Sequence, residues 1–178
     1  MIKIKKRLFG GVLLVTAMAA NTAMAVQVDL KVNNSVSPPV LEVTNNTSPC
    51  AGEPSNSDCI EVKKGNQPHM YFNLKKACKA DGPDYKLMKF RITENNKDWP
   101  SSQKPMDKDV AKDFCADRNT GYVELRNCNN QRKDGTLKLK NFNSKPVTVY
   151  YEITAQPCSG SGDSIYLDPK IKNGGTNN

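Results

Sequence analysis

The chain predicts an all-β fold: an antiparallel β-sandwich of immunoglobulin-like type, with one short helix near 107–115. Three observations carry this. Apolar residues recur at every second position in about nine short runs, the period of a half-buried strand. Between the runs lie clusters of Gly, Pro, Asn, Asp and Ser, residues whose backbone preferences suit turns. Six cysteines stand downstream of an export-like leader, the composition of a disulfide-stapled exported domain.

The leader comes first. Lys3, Lys5, Lys6 and Arg7 precede an apolar run from Leu8 to Ala20, and Ala23 and Ala25 place small residues at −3 and −1 of a cut before Val26. A basic head, a short apolar stretch and small residues at the cut describe a secretory signal peptide over 1–25. The apolar run is short for a membrane span, and no later segment is apolar for long enough. The expected localisation is therefore periplasmic or secreted, with no transmembrane segment after cleavage. Residues 26–173 are read as a single domain and 174–178, "GGTNN", as a disordered tail. The formal net charge is +8, and the leader holds four cations and no acid, so +4 remains after it is removed. The remaining lysines are dispersed, as in "EVKKG" and "TLKLK", which suits solvated faces and guarded strand edges. No nucleic-acid partner is expected on this charge.

Strand-like runs then follow in order. "VQVDLKV" puts Val26, Val28, Leu30 and Val32 on one face, and "VLEVTN" does the same with Leu41 and Val43. "CIEVKKG" pairs Ile60 with Val62, and "HMYFNL" aligns Met70, Phe72 and Leu74. "YKLMKFRITE" is mixed: Leu87 shares parity with Tyr85, while Met88, Phe90 and Ile92 share the opposite one. The stretch "MDKDVAKDFCADR" alone has a helical spacing, with Asp107 as cap and Val110 and Phe114 on one side. Asp109 and Asp113, four apart, read as its solvated face. A strand is expected over 122–127 in "GYVELRNC", with Val123 and Leu125. Leu137 and Leu139 mark the next run. Val147, Val149, Tyr151, Ile153 and Ala155 form the clearest alternation in the chain. The final run, "SIYLDPKI", is expected to be the last strand, anchored by Ile165, Leu167 and Ile171. Pro169 cannot donate a hydrogen bond, so it belongs at an edge, a strand end or a bulge. Trp99, in the loop "KDWPSS", is expected to plug the core as an anchor, not to serve as a ligand platform.

The cysteines, Cys50, Cys59, Cys78, Cys115, Cys128 and Cys158, are expected to form disulfides. Cys50 and Cys59 flank eight loop-forming residues and suit a local ring. A strand at 122–127 running the same way as that at 147–155 would bring Cys128 near Cys158 and leave Cys78 for Cys115. No metal site is expected: there is no CxxC, and the only histidine, His69, has no ligand spacing to a cysteine. One histidine also argues against a copper carrier.

The C-terminal "DPKIKNGG", after a "YY-x-I" strand and a Gly-containing turn, resembles the small bacterial proteins of the DP-EP family. "CIEVKKG" and "TLKLKN" suit the same pattern. Lys170 and Ile171 stand where a second acidic-Pro pair would be sought. The resemblance implies a compact β domain, and no activity or site residues come with it.

These readings point to an exported, non-catalytic binding or structural module of the bacterial envelope, with a protein or glycan partner. No catalytic residue and no cofactor is assigned, because no GxSxG or HExxH occurs and a Ser or Cys nucleophile would need a histidine partner. Weighed against this are a small secreted hydrolase, an inhibitor of an envelope enzyme, and a fibre or adhesin subunit completed by another chain's strand.

Overall fold

The structure is a computed structural model describing residues 25–95, 98–125, 127–133 and 135–175. All of the expected leader except Ala25, and residues 176–178 of the expected tail, lie outside the described residues.

Among the described residues, ten strands and one helix follow one another: β1 (Val26–Asn33), β2 (Val40–Asn46), β3 (Ile60–Val62), β4 (His69–Leu74), β5 (Tyr85–Thr93), α1 (Lys108–Phe114), β6 (Gln131–Lys133), β7 (Thr136–Lys140), β8 (Pro146–Pro157), β9 (Ile165–Leu167) and β10 (Lys170–Gly174). They build two open sheets. The first has the order β2-β1-β4-β7-β6, and the second β3-β10-β8-β5, with β9 also paired to β8.

The expected antiparallel arrangement needs correction, because both sheets are mixed. β4 runs parallel to β1, and β3 parallel to β10. After β2 the chain crosses to the second sheet for β3. It then returns to lay β4 beside β1 in the same direction, the kind of crossover that parallel neighbours require.

The two sheets share one buried cluster. Phe72 of the first sheet meets Phe90 and Tyr151 of the second with ring centroids 5.2 and 5.4 Å apart, and Phe90 stacks on Tyr151 at 5.1 Å. The Tyr151 hydroxyl donates to the Asp58 carbonyl at 3.1 Å, so its polar end is satisfied inside the core. Full burial of each such side chain contributes about 1.5–3 kcal/mol.

The mixed parity of "YKLMKFRITE" has a structural cause. A bulge between Leu87 and Lys89 makes Met88 the extra residue against β8. Leu87, Phe90 and Ile92 are thereby all buried, while Met88 is not.

Among the described residues of 122–127 no strand forms. Gly121–Val123 instead lies along the edge of β5 through an isolated bridge of Arg91 with Tyr122, while a second bridge, Ala116 with Val123, folds the segment back on itself. An Asp117-centred turn, whose carboxylate accepts from the Asn119 and Thr120 amides at 2.9 and 2.8 Å, folds the segment too tightly for a longer ladder.

Helix α1 stands where expected. The Asp107 carboxylate accepts from the amides of Asp109 and Val110, and Cys115 ends the helix in the left-handed conformation. The solvated-face reading fails at Asp113. That residue is 2% exposed, and its carboxylate accepts from the Ser144 amide at 2.7 Å.

At the C-terminus, β9 and β10 lie on the same side of β8, on either side of Asp168-Pro169. The Pro169 carbonyl accepts from the Tyr151 amide at 2.9 Å, so the break keeps an acceptor while losing a donor. β10 sits between β3 and β8, so Pro169 is at a strand end and not on a free edge. Pairing continues after Asn173: Gly174 pairs with Pro146, and the Gly175 amide donates to Asn143 Oδ1 at 2.8 Å.

Candidate functional site

All six cysteines are joined. Cys50–Cys59 forms as expected, and the other pairs are Cys78–Cys158 and Cys115–Cys128. The pairing of Cys128 with Cys158 and Cys78 with Cys115 is thus overturned, for two reasons. Antiparallel pairing sets the start of β5 against the end of β8, and the Cys158 amide donates to the Asp84 carbonyl, which brings the loop holding Cys78 alongside. The turn at 116–123 replaces the expected strand and returns the chain from Cys115 to Cys128. Cys50, Glu53 and Cys59 bring three donor atoms close together, but the two sulfurs are bonded to each other and offer no thiolate.

His69 begins β4, inside the first sheet and opposite Lys140. Partial burial, then Lys138 and Lys140, hold its imidazole below the usual range. The Tyr71 ring lies 6.5 Å from it on the same face.

The distinctive chemistry lies on the outer face of the second sheet. β8 alternates Val149, Tyr151, Ile153 and Ala155 into the core, which turns Glu152 and Thr154 outward. The bulge at Met88 resets β5 so that Arg91 also points outward, directly opposite Glu152. The guanidinium makes a two-pronged contact: Nε and Nη2 donate to the two Glu152 oxygens, each at 2.9 Å. Such forked pairs are stronger than single charge contacts and fix both groups in orientation.

Trp99 stacks on the Arg91 member of this pair. Its ring lies 3.8 Å from the Arg91 guanidinium carbon, a cation–π stack. It is half-buried and outside the core cluster, so its expected role as a core plug does not hold. The loop that carries it is pinned by Thr93 Oγ1 donating to the Asp98 carbonyl at 2.8 Å and by the Asp107 amide donating to Glu94 Oε2 at 2.7 Å. A cavity of about 150 Å³ lies there, lined in part by Thr93, Asp98, Trp99 and Met106.

Tyr122 comes from the segment along the β5 edge. Its ring lies 5.7 Å from the Arg91 guanidinium and 5.3 Å below the Lys89 ammonium. Gly121 makes this placement possible: with φ +73°, a Cβ there would fall 2.3 Å from the Ile92 carbonyl oxygen. Across β8, Tyr166 pairs in register with Thr154 and is 52% exposed, against 38% for Tyr122. Asp168 follows beside Glu152. Its carboxyl is pushed up by burial and by Glu152, with Arg91 pulling the other way.

The face therefore combines two solvent-facing tyrosines, one tryptophan stacked on a fixed ion pair, and two further charges. Sequence reading singled out Trp99 but not Arg91, Glu152, Tyr122 or Tyr166. A signal was present: opposite charges interrupt the two most apolar strands in matching contexts, "FRIT" and "YEIT".

No protein-family model matches the chain, and a search of curated proteins finds no relative. Among the described residues, no helix is long and apolar enough to cross a membrane.

Proposed function

We propose that the protein is an exported, non-catalytic binding module of the bacterial envelope, periplasmic or secreted. In this reading it is an immunoglobulin-like β-sandwich akin to the DP-EP proteins, and it meets its partner with the outer face of the second sheet. One observation carries the reading: the Arg91–Glu152 pair is held rigid under Trp99 while Tyr122 and Tyr166 remain open to water on either side. Aromatic rings beside fixed polar groups are what recognition surfaces present. The leader over 1–25 and the three disulfides support export. Arg91 and Glu152 are committed to one another, and His69 stands on the other sheet, away from this face.

The test is co-sedimentation of the mature chain, residues 26–178, with a bacterial envelope fraction. The wild type is expected to sediment. A Tyr122→Ala/Tyr166→Ala double variant is expected to stay in solution while melting at the same temperature. Equal sedimentation of the two proteins removes this face as the binding site. Intact-mass analysis of the exported protein is expected to show a start at Val26; a full-length product would overturn export.

A further inference from the structure

Resting on that reading, we infer that the ligand of the Arg91 face is an uncharged, extended glycan lying across the strands from Tyr122 to Tyr166. Four properties of the face select this chemistry.

The first is charge. Along the line from Tyr122 to Tyr166, Arg91 and Lys89 stand with Glu152 and Asp168, so these four charges sum to zero.

The second is the form of the hydrogen-bonding groups. Nε and one Nη of Arg91 go to Glu152, which leaves the remaining guanidinium N–H groups of a side chain 22% exposed, beside a carboxylate 10% exposed, as a rigid donor–acceptor array. Adjacent sugar hydroxyls, each both donor and acceptor, match such an array.

The third is spacing. Tyr122 bridges to Arg91, Arg91 pairs with Glu152, and Tyr166 lies on the far side of β8. The two tyrosines thus stand three strand spacings apart, about 14 Å. That distance suits a chain of a few pyranose rings stacking its C–H faces at both ends, and it exceeds a single sugar.

The fourth concerns the edge. The Ile92 amide donates to the Gly121 carbonyl, and the Val123 amide to the Phe90 carbonyl, both at 2.9 Å. The β5 edge beside the site is therefore already paired, which closes it to an added peptide strand.

The test titrates the mature chain with cello-, chito- and malto-oligosaccharides, from monosaccharide to hexasaccharide, and with dextran sulfate. Trp99 is the only tryptophan in the chain, so its emission reports on this site directly. The expected result is a neutral series whose affinity climbs up to roughly three sugar units, the reach of a 14 Å face, and then levels, unchanged by added salt. Tyr122→Ala and Tyr166→Ala are each expected to weaken it about tenfold, the loss of one aromatic stack. Binding to dextran sulfate alone, fading with salt, overturns the inference. So does the absence of binding to all three neutral series. In either case the sedimentation experiment separates the two readings. If envelope binding still depends on the tyrosines, and is lost when the envelope is treated with protease, the face is a protein site and only the glycan assignment falls. If it does not depend on them, both fall.

Discussion

At the scale of single residues, Arg91 is the hinge of the outer face. Its side chain is 22% exposed and that of Glu152 10%, so the carboxylate depends on this partner for its counter-charge. Removing one member of a nearly buried pair strands the other, a loss of about 3–5 kcal/mol when burial is complete. The residual exposure here places Arg91→Ala at about 2–3 kcal/mol in urea unfolding. Arg91→Lys is expected to recover less than half of that loss, because an ammonium cannot make the fork or stack flat on Trp99. Full recovery by lysine would mean that charge alone matters at this site. Asp113 works in the opposite electrostatic sense. Burial pushes its carboxyl above the ordinary 3.8, against the hydrogen bonding of Ser144. The folded protein therefore keeps this proton to higher pH than the unfolded chain does. The associated stability is complete below the ordinary value and is lost as pH rises through the raised one. Asp113→Asn keeps an acceptor for the Ser144 amide and removes the titration. The stability of wild type minus that of this variant is expected to fall as pH rises from about 3.8 towards neutrality. Parallel stability–pH curves would show that burial of Asp113 carries no proton linkage.

At the scale of elements, the C-terminal pair β9–β10 shows how a break can sit inside a sheet. Ile165 and Ile171 are buried on either side of Asp168-Pro169, and β10 joins β3 to β8. Beyond Asn173, three hydrogen bonds tie Gly175 in: its carbonyl accepts from the Gly65 amide and Asn143 Nδ2, and its amide donates to Asn143 Oδ1. A chain of residues 26–175 is expected to melt like one of residues 26–178. One ending at Asn173 gives up these bonds, at about 0.5–1.5 kcal/mol each, and one ending at Asp163 is expected not to fold. Identical melting of the Asn173 and Gly175 chains would show that the asparagine contacts add nothing. The anchors of this region were legible because alternation is local: Ile165 and Ile171 declare their burial within a few residues. The same locality explains what was not legible. Alternation carries no direction, so nothing in "HMYFNL" says that β4 runs parallel to β1. Val123 and Leu125 alternate like a strand, yet the turn at Asp117 and the positive φ of Gly121 allow only bridges. The candidate site was hidden for a related reason. Arg91 and Glu152 are 61 positions apart, and only the β5–β8 register, with its bulge at Met88, sets them face to face.

At the scale of the whole molecule, the three disulfides divide their labour between stability and the face. Cys78–Cys158 closes 80 positions and ties the β4–β5 loop to the end of β8, so it constrains the unfolded chain most. The loop-entropy relation gives about 4.5 kcal/mol for a ring of that size and about 3 kcal/mol for Cys115–Cys128, which closes 13. The larger ring encloses Gly121 and Tyr122 only within its long span, whereas the Cys115–Cys128 ring closes tightly around them, the segment lying along β5 beside Arg91. Its two cysteines both adopt positive φ, so the crosslink holds the ring ends in backbone conformations that non-glycine residues seldom adopt unaided. The two crosslinks are therefore expected to separate in a paired experiment. Cys78→Ala/Cys158→Ala should lower stability more, while the folded fraction still binds the envelope as tightly as wild type. Cys115→Ala/Cys128→Ala should lower stability less yet weaken envelope binding, because Tyr122 loses its fixed position and ordering it again opposes association. Urea unfolding measures the first property, and sedimentation at a urea concentration where every variant is folded measures the second. If the Cys115–Cys128 variant binds like wild type, Tyr122 is held by its β5 contacts alone, and the crosslink belongs to the stability of the fold and not to the site.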